Sequence, residues 1–214
     1  MNTIEKVFES RYPSATRLTR MFTPAQFPNT IPAHILDNAA KKGTAFHKFA
    51  QKYVNDVTSS HEYIVPLYDV EYAEYEEQFV KWFNTRYDPD EIYFTEVPFI
   101  DDELKIKGFI DLVMYNPHIP EMQVFDYKTS AKMNKFSYPL QVQTYMEAAY
   151  SLGPSLIGIP SFDEPDMYGS LIQFTKTKYK EVSVSMAPEG MVKGLSDTFA
   201  EYEEIFRKED KKKS

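Results

Sequence analysis

The sequence contains no cysteine. Disulfides, zinc–thiolate sites and iron–sulfur clusters are therefore excluded, and a reducing compartment fits. No apolar run reaches the roughly 18 residues that a membrane span requires, and no secretory leader pattern opens the chain. The expected setting is the cytoplasm, with no membrane partner. An excess of basic residues is also lacking: 24 Lys and Arg stand against 32 Asp and Glu, a formal net charge of −8. Affinity for duplex nucleic acid comes largely from neutralising phosphates, so this balance argues against a tight, nonspecific duplex binder. It leaves room for an enzyme whose phosphate contacts are local and metal-assisted.

What is present is enough for a sizeable core. The chain has 214 residues, 43% of them hydrophobic, with 16 Phe and 16 Tyr. That length predicts a single domain over 1–214. Its centre is Asp126-Tyr127-Lys128, which closes the apolar run Met122-Gln123-Val124-Phe125. Side chains alternate along a strand, so Asp126 and Lys128 share a face and Tyr127 takes the other. Upstream stands Gly108-Phe109-Ile110-Asp111, and between the two lies the turn-forming Asn116-Pro117-His118-Ile119-Pro120. A hairpin folded about a point between His118 and Ile119 sets Asp111 opposite Asp126, roughly 5 Å apart at the backbone. Two carboxylates that close repel unless a proton or a cation lies between them, and a hard divalent ion such as Mg²⁺ suits them.

In chain order, a short helix is expected over 3–10, then a second from Ser14, a plausible N-cap, with Arg17 and Arg20 on one face. Pro24, Pro28 and Pro32 make the next stretch loop. Residues 34–57 read as helix, with Phe46, Phe49, Ala50, Tyr53 and Val54 as the apolar stripe and His47 beside it. Gly43 lies one turn before His47, and close approach of another group is one reason to keep it. A second long helix follows over 69–86. Strands are expected over 92–100 and from Leu104, where Leu104, Ile106, Gly108, Ile110, Leu112 and Met114 alternate. Glu96 faces Asp111 only if this second hairpin centres slightly past Asp101-Asp102-Glu103, a mismatch that a bulge would repair. A helix over 136–151 carries Gln141 and Tyr145 one turn apart and stops at Gly153-Pro154. Leu156–Ile159, Ser170–Thr175 and 178–185 are candidate strands, and a last helix runs over 187–208 and frays into Lys211-Lys212-Lys213. His34, His61 and His118 are expected to face solvent.

The ordered set Gly43-x-x-x-His47, Glu96, Gly108-x-x-Asp111, Asp126-Tyr127-Lys128 and Gln141-x-x-x-Tyr145 resembles the RecB-type branch of the PD-(D/E)XK nuclease superfamily. The resemblance covers roughly residues 14–150. It departs at Thr23-Pro24, near where a Cys-Pro of the cluster-bearing members would stand. It therefore points to cluster-free exonucleases, many of them phage-encoded. The resemblance implies an α/β, restriction-endonuclease-like core: a central mixed sheet flanked by helices, with an N-terminal helical region supplying His47. Asp111 and Asp126 would ligate Mg²⁺ or Mn²⁺, joined by Glu96, His47 and the Tyr127 carbonyl. Lys128 would position the attacking water. Gln141 and Tyr145 would orient the lysine or grip the strand backbone, and Arg17 and Arg20 would contact phosphate. The implied substrate is linear DNA with free ends. A recombination or single-strand-binding protein and a homo-oligomeric ring are partners the resemblance leaves open.

Rival readings stand beside it. An acid and a lysine two apart on a strand are, alone, an ordinary surface pair. The fold could serve as a catalytically idle binding module. The acidic charge also suits a DNA mimic or protein-interaction domain, and an endonuclease or RNA-directed nuclease would use the same residues.

Overall fold

The computed structural model describes residues 2–21, 32–62, 64–158 and 165–213. Two short helices, α1 (Thr3–Glu9) and α2 (Ala15–Met21), precede the long α3 (Ala33–Ser60) and α4 (Ala73–Arg86). Three strands follow, β1 (Ile92–Asp101), β2 (Ile106–Asn116) and β3 (Glu121–Lys128). After α5 (Ser137–Leu152) come β4 (Asp166–Phe174), β5 (Tyr179–Val184) and α6 (Met191–Lys213). The sheet runs β1-β2-β3-β4-β5, with β3 and β4 parallel and every other pair antiparallel. A parallel neighbour needs a crossover, and α5 supplies it. The architecture is the expected mixed α/β sheet with helices on both faces.

Local chemistry sets the elements. Ser14 caps α2 by accepting a hydrogen bond from the Arg17 backbone N–H at 3.2 Å. Gly153, at φ +53°, ends α5. Leu156, expected to open a strand, closes a 3₁₀ turn over Gly153–Leu156, and Ile157-Gly158 continue as turn. Gly158 carries φ +71°, a turn conformation rather than a strand one. Ile159 and the prolines Pro24 and Pro28, like Thr23, lie outside the described residues. The last helix continues through Lys213.

Two apolar layers sandwich the sheet. One, under α5 and α2, gathers Leu18, Phe99, Ile106, Ile110, Val124, Tyr145 and Met146. The other, under α3 and α4, is aromatic: Phe46, Tyr53, Phe79, Trp82, Phe83, Phe125, Tyr127 and Phe174. Phe79 meets Tyr127 edge-to-face at 5.3 Å and Phe46 at 5.8 Å, the geometry that ring quadrupoles prefer.

The layers reveal a departure in β2. Ile106 and Ile110 enter the α5-side layer, but Leu112 and Met114 enter the α3-side layer. The predicted unbroken alternation therefore reverses at Asp111. The partner strand reverses on the same rung: Tyr93 packs with the α3 side, yet Val97 and Phe99 pack with the α5 side. Thr95 pairs with Leu112 and Val97 with Ile110, so Glu96 and Asp111 are the rung left out of the ladder. Glu96 adopts φ +48° there. The hairpin needs no one-sided bulge. Its turn is Asp102-Glu103-Leu104-Lys105, with Lys105 at φ +54°, one residue later than the acidic run suggested.

Candidate active site

The expected hairpin register is the one observed. Leu112 pairs with Phe125 and Asn116 with Glu121, so Asp111 and Asp126 occupy the next rung. There the Asp111 side chain replaces a backbone acceptor: the Tyr127 N–H donates to Asp111 Oδ2 at 2.7 Å. Asp126 and Lys128 share one face and Tyr127 packs on the other, as alternation requires.

His47 reaches this rung from α3. The stripe residues Phe46 and Ala50 are buried, which leaves His47 at the stripe's edge, over the middle of β1 and β2. Its Nδ1 lies 3.3 Å from Asp111 Oδ1 and 3.5 Å from Glu96 Oε1. One ligand atom each from His47, Glu96 and Asp111 lie within 4.8 Å of one another. Ligands on opposite sides of Mg²⁺ stand about 4.2 Å apart, so these three close on an ion with small side-chain shifts. The set fits a divalent cation.

Asp126 is turned to Lys128. The ammonium sits 2.7 Å from Oδ1 and 2.5 Å from Oδ2. Only the Oδ1 contact has hydrogen-bond geometry; Oδ2 is buried and meets the ammonium as an ion pair without a hydrogen bond. The Lys128 ammonium also lies 5.3 Å from the centre of the Tyr138 ring. Tyr138 in turn donates its hydroxyl to Ser130 Oγ at 3.2 Å.

The charges are arranged by these contacts. Burial pulls the His47 imidazole down, but the Asp111 carboxylate and hydrogen bonds to Asp111 and Glu96 outweigh it and carry the group up to about 10. Burial pushes Asp111 up, and His47 more than compensates, holding it below the usual carboxylate range. Asp126 goes the other way: burial, with the charge of Asp111, raises it against the pull of Lys128. Without metal, the His47 imidazolium therefore offsets the charge of Asp111, and the Lys128 ammonium faces Asp126.

Behind this layer, Gln141 and Tyr145 are both buried. Gln141 Nε2 donates to the Tyr145 hydroxyl at 2.6 Å and to Thr16 Oγ1 at 2.9 Å, tying α5 to α2. Burial and the charges of Asp126 and Asp111 keep the Tyr145 phenol neutral, well above its ordinary value. Gly108 makes the fit between β2 and α5: a Cβ there would stand 2.9 Å from Phe99 Cε1 and 3.7 Å from Tyr145 Cε1. Gly43 is the opposite case. Nothing lies within 4 Å of a Cβ placed on it, so the expected close neighbour is absent and the helix face there is open.

Arg17 is engaged by α6, with Glu203 at 2.5 Å and the Phe199 ring at 5.2 Å. Arg20 is exposed on α2, and His34, His61 and His118 are exposed as expected. Two residues escaped the sequence reading. Tyr138 sits three before Gln141 on the same helix face, a spacing that could have revealed it. Lys42 donates to the Thr129 carbonyl at 2.8 Å, holding the end of β3 against α3. Its position five residues before His47 gives no periodic signal.

A mixed sheet carrying paired acids, an imidazole and an adjacent ammonium on neighbouring strands is the equipment of a metal-dependent hydrolase. A family model for the PD-(D/E)XK nuclease superfamily matches residues 25–209, and the chain belongs to that superfamily. Nucleases of this superfamily use divalent metal ions. No curated protein matches the chain. Among solved structures, one described as the crystal structure of SSO0001 matches at 14% identity and a TM-score of 0.37, covering 91% of this chain and 83% of that one. No helix among the described residues is long and apolar enough to cross a membrane.

Proposed function

We propose that the chain is a Mg²⁺- or Mn²⁺-dependent deoxyribonuclease that degrades linear DNA from its ends, akin to the cluster-free RecB-type exonucleases. The observation that carries this reading is one juxtaposition. His47, Glu96 and Asp111 stand at metal-ligand spacing beside the buried Asp126–Lys128 pair. His47, Glu96 and Asp111 would hold the ion, Asp126 would add its buried Oδ2, and the Tyr127 carbonyl would be a further ligand. When bound, the ion polarises a phosphoryl oxygen and lowers the pKa of water.

The protein's own groups do the rest. Lys128 orients the attacking water and offsets charge as it grows on the phosphate. Asp126 and the Tyr138 ring hold the ammonium in place from two sides. Gln141 and Tyr145 are too deep to grip a strand directly, so they act by fixing the layer beneath Asp126 and Lys128. Arg17 and Arg20 are the proposed phosphate contacts on α2, Arg17 from beside Glu203 of α6 and Arg20 from an exposed position.

The test is digestion of end-labelled linear and closed-circular DNA, single- and double-stranded, with Mg²⁺, Mn²⁺ or chelator. Linear substrates should be shortened from the label only when metal is present. Equal attack on closed circles would replace the reading with an endonuclease. Tight Mn²⁺ binding without any cleavage would favour an idle nuclease fold.

A further inference from the structure

Beside the candidate metal ligands lies an open groove of about 610 Å³. His47 and Glu96 line it, and Ile4 and Phe109 add apolar surface. α3 also contributes Gly43, where no atom stands within 4 Å of an added Cβ, and Lys48. Lys48 has no ion-pair partner among the described residues. Next to the apolar surface is Phe8, 74% exposed, its ring 5.9 Å from that of Phe109. The helix that carries it is fastened to the sheet. Val7 beneath it is buried, and the Lys107 ammonium accepts no freedom for α1: it donates to the Val7 carbonyl at 2.7 Å and the Ser10 carbonyl at 2.6 Å.

Resting on the nuclease reading above, we infer that the exposed Phe8 ring, flanked by Phe109 at a 44° tilt, is a stacking platform for an unpaired or terminal nucleobase of the strand being cut. The groove's volume lies within the range of pockets that enclose small ligands. Its lining holds the chemistries a nucleotide calls for: metal ligands for the phosphate, apolar and aromatic surface for the base, and an exposed ammonium for a neighbouring phosphate. A base inside a duplex has both faces covered by its neighbours. Only a base at a strand end or in a single strand has a free face to offer Phe8. The platform therefore selects strand ends and single strands through stacking, which tolerates every base.

The experiment is equilibrium binding of fluorescein-labelled single-stranded oligonucleotides, read by anisotropy in Ca²⁺ to suppress cleavage. One series is intact and another carries a single abasic site at successive positions from the end. Phe8→Ala should weaken binding of intact DNA roughly tenfold, and Phe8→Trp should restore it. At one position the abasic site should weaken the parent by a similar factor and leave Phe8→Ala no weaker still. Unchanged binding by Phe8→Ala, or losses that multiply at every abasic position, would overturn the inference. Since Phe8 is largely exposed, the melting temperature of Phe8→Ala should match the parent, and Phe8→Tyr provides a second ring-retaining control. A parent that neither binds nor cuts DNA defeats the nuclease reading itself. A parent that cuts while Phe8 and the abasic sites act independently defeats only the platform.

Discussion

His47 links metal affinity to pH. In the metal-free protein its imidazolium bridges Asp111 at 3.3 Å and Glu96 at 3.5 Å, and its pKa rises from 6.5 to about 10. The sign follows from this rise. The charged bridge contributes fully to stability below about 6.5, where the unfolded histidine is protonated too, and that contribution fades as pH climbs toward 10. Metal ligation needs the ring neutral, so an ion must displace the proton. From pH 7.5 to about 10 is about 2.5 pH units, which sets roughly 3 kcal/mol against the ion. Apparent Mn²⁺ affinity should therefore strengthen about tenfold per pH unit between 6.5 and 8.5. Calorimetry in two buffers of different ionisation heat should register about one proton released per ion. His47→Gln should flatten this pH dependence while weakening binding at the alkaline end. Affinity that changes less than about twofold over the range, or a slope that survives His47→Gln, would refute the argument.

Lys128→Ala should lower the single-turnover cleavage rate by roughly two orders of magnitude, because its charge matters most in the transition state. Calorimetric Mn²⁺ binding should persist, since no ligand has left, and near-parent cleavage would remove the lysine from the mechanism. Asp126→Asn should abolish cleavage. Its apo melting temperature should not fall, because burial already disfavours the ionised carboxyl above its ordinary value. A large drop would instead mark the Asp126–Lys128 pair as structural. Gly108→Ala should cost about 1–3 kcal/mol in urea unfolding, since the methyl group would meet Phe99 at 2.9 Å. A neutral result would mean that Phe99 and Tyr145 yield freely.

Much of this architecture was legible because it depends on local rules. The proline-bounded turn at 116–120 fixed the β2–β3 register, and period-2 alternation put Asp126 and Lys128 together. Gly153 ended α5 where expected. The helix over Ala33–Ser60 was readable from its aromatic stripe, which also placed His47 at the stripe's edge. Other features depend on what each residue meets across the fold. Gly43 and Gly108 look alike in the sequence, yet one faces open space and the other a phenyl ring. The aromatic residues divide in the same way. Phe79 and Phe174 are core, whereas Phe8, of identical chemistry, is exposed beside the candidate site. Arg17, equally plausible as a phosphate contact, is held by Glu203 and Phe199 from the far end of the chain.

The least legible feature is the one that builds the site. A strand that alternates strictly sends its side chains either to one core or to the other. Neither face suits a carboxylate that must meet ligands from α3 and from β3 at once. Here β1 and β2 both reverse their faces on the rung of Glu96 and Asp111. Because both strands reverse together, the register on either side of the rung is unchanged, so no slip propagates to the hairpin turn or to β3. Both acids are thereby released from ladder pairing at the point where α3 passes. Glu96 takes a left-handed backbone to manage it, an uncommon conformation for a residue with a side chain. Asp111 recovers the lost backbone contact by accepting the Tyr127 N–H with its own carboxylate. That hydrogen bond ties the metal-ligating acid to the strand that carries Asp126 and Lys128. The local strain and the site are therefore one device: straightening Glu96 into an ordinary strand residue would restore the alternation and dismantle the cluster.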